Sequence, residues 1–517
     1  MAFIRYTASA DNTITNAYQA NLQTRGTGAN AGEADIMEVF SIYGRQTPTS
    51  SLAPASVELS RLIVQFPIAT LTADRTAGKL PNSGSVDFFL KLYNAPHSRT
   101  VPKNYKLTVA AISQSWQEGN GLDLTNYLDV VGKNSGSNWI QAEKGTNWTL
   151  PGGDYLTGAD FEYEIDFKSG LENIELNVTP MVERWIGAVG GQQNYGFGIR
   201  LSERYEGYFS ASDGAGSHME NSSGSVLINH TGALESYYTK RFFARGTQYF
   251  YMRPLIEARW DDTLKDDRAN FYFSSSRAPA ADNLNTIYFY NYIRGRLTNL
   301  PGVGTGELLV SLYSGSSDNT RPSGSKLSLY DGNVNITGGY VSTGIYSCSI
   351  GIVSSSITTL YDVWHLGTKE YFTGSIRPKV FDTGNVNSNP SYVLAMRNLQ
   401  KSYRTTDKVR LRLYTRQKNW QPNIYTVAKN EPEVLPIMSA SYRVLRLFDG
   451  YQAIGYGTSS KNHTGLSYGV SGNYFDFDMQ SLESGYDYEF RFSFYDHAQG
   501  SWVEQGKTFK FKVDDEL

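Results

Sequence analysis

The sequence is poor in cysteine, since Cys348 is the only one among 517 residues. A single thiol excludes an intrachain disulfide and any metal site built from several cysteines. It lies in the segment IYSCSI, where it alternates with Tyr346 and Ile350. We therefore expect a small buried side chain on one face of a strand.

Long hydrophobic runs and an excess of one charge are lacking too. No run approaches the ~20 apolar residues of a membrane-spanning helix, and the first residues, MAFIRYTASADN, lack the charged start and apolar core of a signal peptide. The formal net charge is −3, and no concentrated basic surface is visible that would neutralise phosphates. We expect neither nucleic acid nor membrane as a partner, and synthesis in a cytosol without export.

Motifs of catalysis are missing as well. The six histidines are scattered without metal-ligand spacing, and no nucleophile elbow, phosphate loop or dinucleotide fingerprint lies between a strand and a helix. Glu162, Glu164 and Asp166 offer carboxylates of the kind that cleave glycosides. Because they alternate strictly with Phe and Tyr, they are more typical of the wet side of a half-buried strand. We expect no enzyme activity and no cofactor.

Tyrosine and glycine are abundant, with 37 and 49 residues respectively. Tyrosine suits a pleated surface with one wet edge, and glycine suits turns between many short strands. The length exceeds what one hydrophobic core normally serves. These features predict an all-β chain of tandem β-sandwiches, with domains at 1–262, 263–380 and 381–517.

The third predicted domain carries a more specific signal. Leu482, Gly485 and Tyr488 in LESGYDY have the spacing of a tyrosine corner, in which the phenol bonds back to the backbone of a sandwich turn. This spacing favours an immunoglobulin or fibronectin type sandwich for 381–517. The short strands of 263–380 predict a smaller β-sandwich.

The first predicted domain is organised around a strand, a short helix and a second strand. Apolar residues alternate from Ile174 to Val178, and the helix follows with Thr179 as its cap and Pro180 as its first residue. Alternation resumes after Tyr195 and continues to Leu201. We expect almost no other helix in the chain.

Four motifs here occur in the order found in DNRLRE-type carbohydrate-binding modules. They are SWQEGNG at 115–121, NWTLPGGDY at 147–155, VTPMVERW at 178–185 and NYGFGIRL at 194–201. The first half of the chain resembles these modules, and the resemblance implies a large jelly roll for 1–262. It leaves the second half without an assignment.

The texture of the whole sequence, notably MAFIRYTASADNTITNAY and YFYMRPLIEARWDD, is similar to that of virion structural proteins of large contractile-tailed phages of marine bacteria. This resemblance implies a non-enzymatic virion component at a tail, baseplate, neck or head-decoration position. Its partners would be other virion proteins and further copies of itself. The alternative is a glycan-binding adhesin that attaches the particle to host polysaccharide.

Two sets of aromatic residues are candidate binding residues. Trp139 and Trp148 lie near predicted loops, and exposed indoles are good platforms for sugar rings, so they are the candidate glycan contacts. Trp116 and Trp185 are assigned to the core instead. In the uncharged segment TIYFYNYI, at 286–293, the candidate interface residues are Tyr288, Tyr290 and Tyr292. The alternative for these tyrosines is ordinary sandwich core and rim.

The acidic turn DDTLKDDR at 261–268 marks the first predicted boundary. Charge clusters usually mark solvated connections, so we expect a solvated linker. The alternative is an oxygen site for a hard cation, although the spacing does not match a regular calcium loop.

Overall fold

The computed structural model describes residues 2–21, 25–44, 56–96, 100–124, 136–209, 228–275, 277–279, 283–316, 322–353, 356–379, 390–418, 424, 434–459 and 462–514. The chain divides into two compact units, one of Phe3–Arg259 and one of Trp260–Leu517 with Met1–Ala2. Both are built from β-sheets, so the predicted all-β class of tandem sandwiches is confirmed. The division into three domains stays a prediction.

The first unit contains strands β1 to β13 and both α-helices of the described residues. The helices are α1 (Ile68–Thr76) and α2 (Thr179–Ile186), and no described helix is long and apolar enough to cross a membrane. The strands are β1 (Ala2–Thr7), β2 (Ala10–Thr15), β3 (Ile36–Gly44), β4 (Ser56–Gln65), β5 (Asp87–Leu92), β6 (Tyr105–Ala111), β7 (Gln141–Glu143), β8 (Thr146–Asn147), β9 (Glu162–Phe167), β10 (Ile174–Asn177), β11 (Phe197–Leu201), β12 (Tyr237–Phe243) and β13 (Leu255–Trp260).

Two larger sheets make up this unit. One has the order β1-β13-β5-β10, and the other has the order β12-β3-β4-β11-β6-β9 with β2 also paired to β4. Leu62 and Val64 on β4 and Phe88 and Leu90 on β5 are fully buried, and Ile63 and Phe89 between them are buried as well, so both faces of these central strands are covered. Helix α1, which begins at Ile68, is an exception to the expectation of almost no helix other than α2.

Helix α2 lies where the sequence predicts it, with Pro180 in its first turn. Its buried side is formed by Met181, Val182 and Trp185, so the assignment of Trp185 to the core is confirmed. The capping prediction is wrong in detail, since the helix begins at Thr179 itself. The Thr179 hydroxyl accepts a hydrogen bond of 2.8 Å from the backbone N–H of Phe88 and so ties the helix to β5.

The second unit contains the remaining strands. They are β14 (Asn285–Tyr290), β15 (Tyr292–Ile293), β16 (Arg296–Leu297), β17 (Leu308–Gly315), β18 (Ile336–Ser342), β19 (Ile345–Ile350), β20 (Thr359–Leu366), β21 (Lys369–Ile376), β22 (Tyr392–Met396), β23 (Ser402–Arg404), β24 (Lys408–Gln417), β25 (Ala440–Arg446), β26 (Gln452–Ile454), β27 (Thr458–Ser459), β28 (Asn462–His463), β29 (Ser467–Gly469), β30 (Gly472–Asp478), β31 (Asp487–Asp496), β32 (Ser501–Glu504) and β33 (Phe509–Asp514).

These strands form one six-stranded sheet followed by a pair of sheets. The first sheet has the order β14-β19-β18-β17-β20-β21 and surrounds a core that includes Phe289, Tyr346 and Trp364. Cys348 is buried in it, as expected, and burial raises the pKa of its thiol. The pair consists of β22-β24-β30-β29 and β23-β33-β31-β25-β26, with β32 on β31, around a second aromatic core.

The tyrosine corner is present as the sequence predicts. The Tyr488 hydroxyl donates a 2.8 Å hydrogen bond to the backbone carbonyl of Glu483. Gly485 has a φ of +83°, a conformation that strongly favours glycine. Leu482 is buried beside the turn. The spacing of these residues therefore identified the local geometry of an immunoglobulin-type sandwich.

Candidate functional site

The two tryptophans predicted to contact glycan are not exposed. Trp139 is 0% and Trp148 is 4% exposed, and both lie in one core cluster with Trp116. A sugar ring needs an open aromatic face on which to stack. The prediction that Trp139 and Trp148 are glycan contacts is therefore wrong in this conformation, whereas the assignment of Trp116 to the core is confirmed.

The glycine pair of NWTLPGGDY explains why Trp139 is covered. Gly152 has a φ of +87°, and a Cβ atom there would lie 2.8 Å from the Trp139 ring. Arg61 covers the same ring at 5.4 Å and donates to the Gly152 carbonyl at 3.1 Å. Two further hydrogen bonds, of 3.0 and 2.8 Å, join Arg61 to the buried carboxylate of Glu206. The motif that suggested a glycan platform thus builds a core beneath the loops.

A cleft of about 570 Å³ lies over β2 and β3 in the first unit. Its floor is formed by residues of these strands, and its walls by the loop residues 29–35 and 122–124. The walls are held together by Asn30, whose amide donates to the Glu118 carbonyl at 2.7 Å and accepts from the Gly121 N–H at 2.7 Å. Polar and apolar groups share the lining, which includes Thr13, Glu33, Asp35, Phe40 and Leu122.

The carboxylates of β9 are surface groups, in agreement with the wet-face interpretation. Glu164 is paired with Lys106 at 3.0 Å, and Glu162 with Arg200 at 3.0 Å. Hydrogen bonding to Lys106 lowers the pKa of Glu164. A lowered pKa keeps this carboxylate ionised at neutral pH, so it does not suit the role of a general acid.

The acidic turn is not a solvated linker. We call residues 261–270 the joint segment, because its backbone pairs with β29 within the second unit. The Tyr468 N–H donates to the Leu264 carbonyl at 3.0 Å, and the Asp266 N–H donates to the Tyr468 carbonyl at 3.1 Å. The Asp267 carboxylate accepts from the Tyr468 hydroxyl at 2.6 Å and from the Thr286 N–H at 2.8 Å. The joint segment therefore links β14 to β29.

A buried ion pair fixes the same segment to the six-stranded sheet. The Arg268 guanidinium donates to Asp362 at 2.7 Å and to the carbonyl of Tyr288 at 3.3 Å. Asp362 is fully buried and also accepts from the Trp364 indole N–H at 2.8 Å. Buried charges need partners of this kind, because an unpaired charge in the interior is very costly.

The carboxyl of Asp266 also has its partner within this segment. Asp266 is buried, which raises the pKa of its carboxyl to about 6, and it caps the Arg268 N–H. In the ranges that the structure describes, no three His, Cys, Asp or Glu side chains come together as a metal site. Asp266 and Asp267 therefore serve as internal hydrogen-bond acceptors.

The candidate interface tyrosines contact the same chain to different extents. The rings of Tyr288 and Tyr290 stack on each other with their centres 6.2 Å apart, and burial raises the pKa of both hydroxyls. Tyr292 is 54% exposed. Of the three, Tyr292 keeps the largest free surface, whereas Tyr288 and Tyr290 pack within the second unit. Their role in contacts with another chain stays a prediction.

We predict that Asp362→Asn destabilises the second unit by about 3–5 kcal/mol, because it removes the charge of the carboxylate that accepts two hydrogen bonds from the buried Arg268 guanidinium. Urea unfolding of the full chain measures this. The control is Asp476→Asn, which breaks an exposed pair with Arg410 whose side chains are 51% and 38% exposed. That change should cost less than about 1 kcal/mol. Equal costs for the two variants would contradict the central role of Arg268 and Asp362.

We also predict that Asp266 makes the second unit less stable as pH rises from about 4 to about 6. Its pKa is raised in the folded state, so the folded chain binds the proton more tightly than the unfolded chain does. The effect is on the order of 2 kcal/mol, and Asp266→Asn should remove it. The measurement is the urea midpoint at several pH values. Identical pH dependence of the two proteins would show that Asp266 does not titrate in this way.

Comparisons with known proteins do not place the chain in a family. No protein-family model and no curated protein matches it. Among solved structures, the first four immunoglobulin domains of a Dscam1 isoform align with 8% identity and a TM-score of 0.13, over 41% of this chain and 42% of that one.

Two further structures align over more of this chain. Trypsin-activated alpha-2-macroglobulin from Escherichia coli aligns with 10% identity and a TM-score of 0.15, over 88% of this chain and 29% of that one. A DUF4785 family protein from Legionella pneumophila aligns with 8% identity and a TM-score of 0.12, over 98% and 92%. The chain thus spans less than half the length of the first two. Likenesses with such low TM-scores carry no argument about function.

Proposed function

We propose that this protein is a non-enzymatic structural component of a bacteriophage virion, held in place by β-rich contacts with other virion proteins and with copies of itself. The observation that carries the proposal is the joint segment. It gives the sheets of the second unit a shared set of polar contacts, through Asp267 to Tyr468 and through Arg268 to Asp362. A protein that occupies a fixed position in a particle benefits from such stiffness.

The resemblance of the sequence to tailed-phage virion proteins supports the same proposal. It is most noticeable in the segments MAFIRYTASADNTITNAY and YFYMRPLIEARWDD. The exposed side chain of Tyr292 adds a candidate contact, since aromatic residues are enriched at the centres of protein interfaces. Its hairpin, β15 and β16, stands outside the larger sheets.

The test is incorporation into particles. Mass spectrometry of purified virions should find the chain, and Tyr292→Glu should reduce its copy number severalfold without changing the melting temperature. Tyr451→Glu is the control, because Tyr451 is equally exposed, at 55%, elsewhere in the second unit. If the Tyr292→Glu chain folds and is incorporated at the wild-type copy number, Tyr292 does not contribute to the contact between subunits. If the wild-type chain is absent from particles, the proposal itself fails.

A glycan-binding adhesin is the second candidate, and the cleft over β2 and β3 favours it. Carboxylates, hydroxyls and an aromatic ring occur together there, and such mixed linings suit the hydroxyl groups and apolar faces of sugars. This assignment replaces Trp139 and Trp148 with residues such as Glu33 and Phe40.

A glycan array separates the two candidates. An adhesin should bind some polysaccharide as a purified chain, and Glu33→Gln together with Phe40→Ala should lower that binding at least about tenfold. Glu164→Gln on β9 is the control, because it changes a carboxylate outside this cleft. Absence of binding by the wild-type chain to bacterial and algal polysaccharides would leave the structural role alone.

A further inference from the structure

A hairpin of the second unit stands outside the larger sheets with its side chains uncovered. In it β15 pairs with β16, through Tyr292 with Leu297 and through Ile293 with Arg296. Tyr292 is 54% and Ile293 is 42% exposed. Arg294 and Arg296 are exposed as well, and neither forms an ion pair with another residue of the described ranges. The hairpin therefore presents apolar and cationic side chains together to its surroundings.

We call residues 291–298 the arm, and its base is fastened to the second unit. The Asn291 carbonyl accepts from the Thr298 N–H at 3.0 Å, and the Asn291 side chain donates to the Thr298 carbonyl at 2.6 Å. The Asn291 N–H donates to the Gly344 carbonyl at 2.8 Å, and the Gly344 N–H donates to the Asn299 side chain at 2.7 Å. A segment held in this way loses little conformational entropy when it binds a partner.

The tip of the arm carries arginine where the backbone favours other residues. Arg294 has a φ of +50° and Gly295 a φ of +78°, and both values are positive as in a type I′ hairpin turn. Asparagine, aspartate or glycine usually occupies the first of these positions, because a larger side chain is disfavoured in the left-handed region. A conformational cost of this kind often marks a functional position. Together with Arg296, Arg294 concentrates positive charge at the end of the arm.

The cleft over β2 and β3 in the first unit has the opposite charge. None of the described residues that line it is basic, and four of them are acids: Glu33, Asp35, Glu38 and Asp123. Glu38 is paired with Arg241. Glu33 and Asp35 are exposed, and neither has an ion-pair partner in the part of the chain that the structure describes. These two carboxylates favour a cationic ligand.

The size and the apolar lining of the cleft fit the tip of the arm. Its volume of about 570 Å³ lies in the range of about 300–1,000 Å³ of clefts that take small ligands, so it admits a few side chains rather than a domain. Its apolar lining includes Phe40, Leu122 and Leu124. The arm offers Tyr292 and Ile293 beside its arginines. Apolar and cationic groups on one surface thus match apolar and acidic groups on the other.

We infer that the arm of one copy docks in the cleft over β2 and β3 of a second copy. In this contact the two guanidiniums of the arm pair with the carboxylates of Glu33 and Asp35, and Ile293 meets the apolar lining. Arginine suits such a contact, because its planar guanidinium binds carboxylates through two parallel hydrogen bonds. The inference rests on the proposed structural role and names its partner, a second copy of this chain. It also gives the cleft an occupant other than a glycan.

The kind of assembly follows from this contact. The arm belongs to the second unit and the cleft to the first. Because the two surfaces differ, each copy can place its arm on one neighbour and receive the arm of another. Such a head-to-tail contact closes into a ring or continues as a filament, depending on the rotation between copies. Either arrangement suits a component that is repeated within a particle.

Sedimentation of the purified full chain tests the inference. We expect the wild-type chain to form dimers or larger assemblies at about 100 μM. They should dissociate when salt rises from about 0.1 to about 1 M, because the screening length then falls from about 10 to about 3 Å. The arm variant, Arg294→Glu with Arg296→Glu, should associate at least about 30-fold more weakly. A wild-type chain that stays monomeric at this concentration overturns the inference.

Lys369→Glu with Arg377→Glu is the matched control. It changes the net charge by the same amount, at two exposed basic residues of the second unit outside the arm. We expect this chain to associate as the wild type does. An equal loss of association in the control and in the arm variant would show that net charge rather than the arm governs association, and it would overturn the inference.

Exchange of the charges identifies the two surfaces as partners. The cleft variant, Glu33→Arg with Asp35→Arg, should also lose self-association. Mixed with the arm variant it should associate again, because every arm then meets a cleft of opposite charge. A mixture that stays monomeric, although circular dichroism shows both chains folded, overturns the inference. The arm variant and its control change only exposed residues of the second unit, so they decide the question even if the cleft variant does not fold.

Mass spectrometry of purified virions separates this inference from the proposed function. A chain that is monomeric in solution but present in particles overturns the contact between copies and leaves the structural role in place. A chain that self-associates through the arm but is absent from particles supports the contact and overturns the structural role.

Discussion

The second unit depends on the contacts of the Arg268 guanidinium. The edge strands of an open β-sheet have unpaired backbone groups, which must be covered or paired. Unpaired edge strands invite association with other chains. Arg268 bonds the backbone of β14, the first edge strand, and the carboxylate of Asp362 on β20, the neighbour of the last one. Gly374 on β21 leaves space for the Arg268 side chain, since a Cβ atom at this position would lie 2.4 Å from the guanidinium. One side chain thus brings the two ends of the sheet together.

The first unit meets a related requirement with other residues. Its loops fold back over the sheet and bury polar groups, which then need partners. Arg61 and Glu206 pair beneath the loops, and Asn30 ties 29–35 to 118–121. In both units these particular contacts occur where irregular backbone meets a sheet. The sheets determine the fold class, whereas these contacts determine how the loops are attached to the sheets.

Local patterns in the sequence predicted local structure well. Alternation identified the strands β10 and β11 on either side of α2, and Pro180 marked that short helix. The spacing of Leu482, Gly485 and Tyr488 located the tyrosine corner. Each of these depends on residues a few positions apart, so the pattern and its cause lie in the same segment.

Burial of polar and aromatic groups was predicted poorly, since it depends on partners far along the chain. Asp267 meets Tyr468 across 201 positions, and Arg61 reaches Glu206 across 145. Trp139 is buried because Gly152 and Arg61 fold over it. No local period encodes such events. For this reason the sequence analysis predicted that the acidic turn, Trp139 and Trp148 are exposed to solvent. In the structure Asp266 and both tryptophans are buried.

The joint segment also bears on how such a chain can change during evolution. Leu264 and Asp266 supply backbone partners of β29. The whole six-stranded sheet lies between the joint segment and β29 in the sequence. A recombination event that moved only the C-terminal sheets to another gene would leave behind the joint segment. The edge strand β29 would then lose its backbone partners. Exchange at the apparent boundary near residue 380 would thus damage both fragments. The whole second unit is the smallest cassette that can be inherited intact.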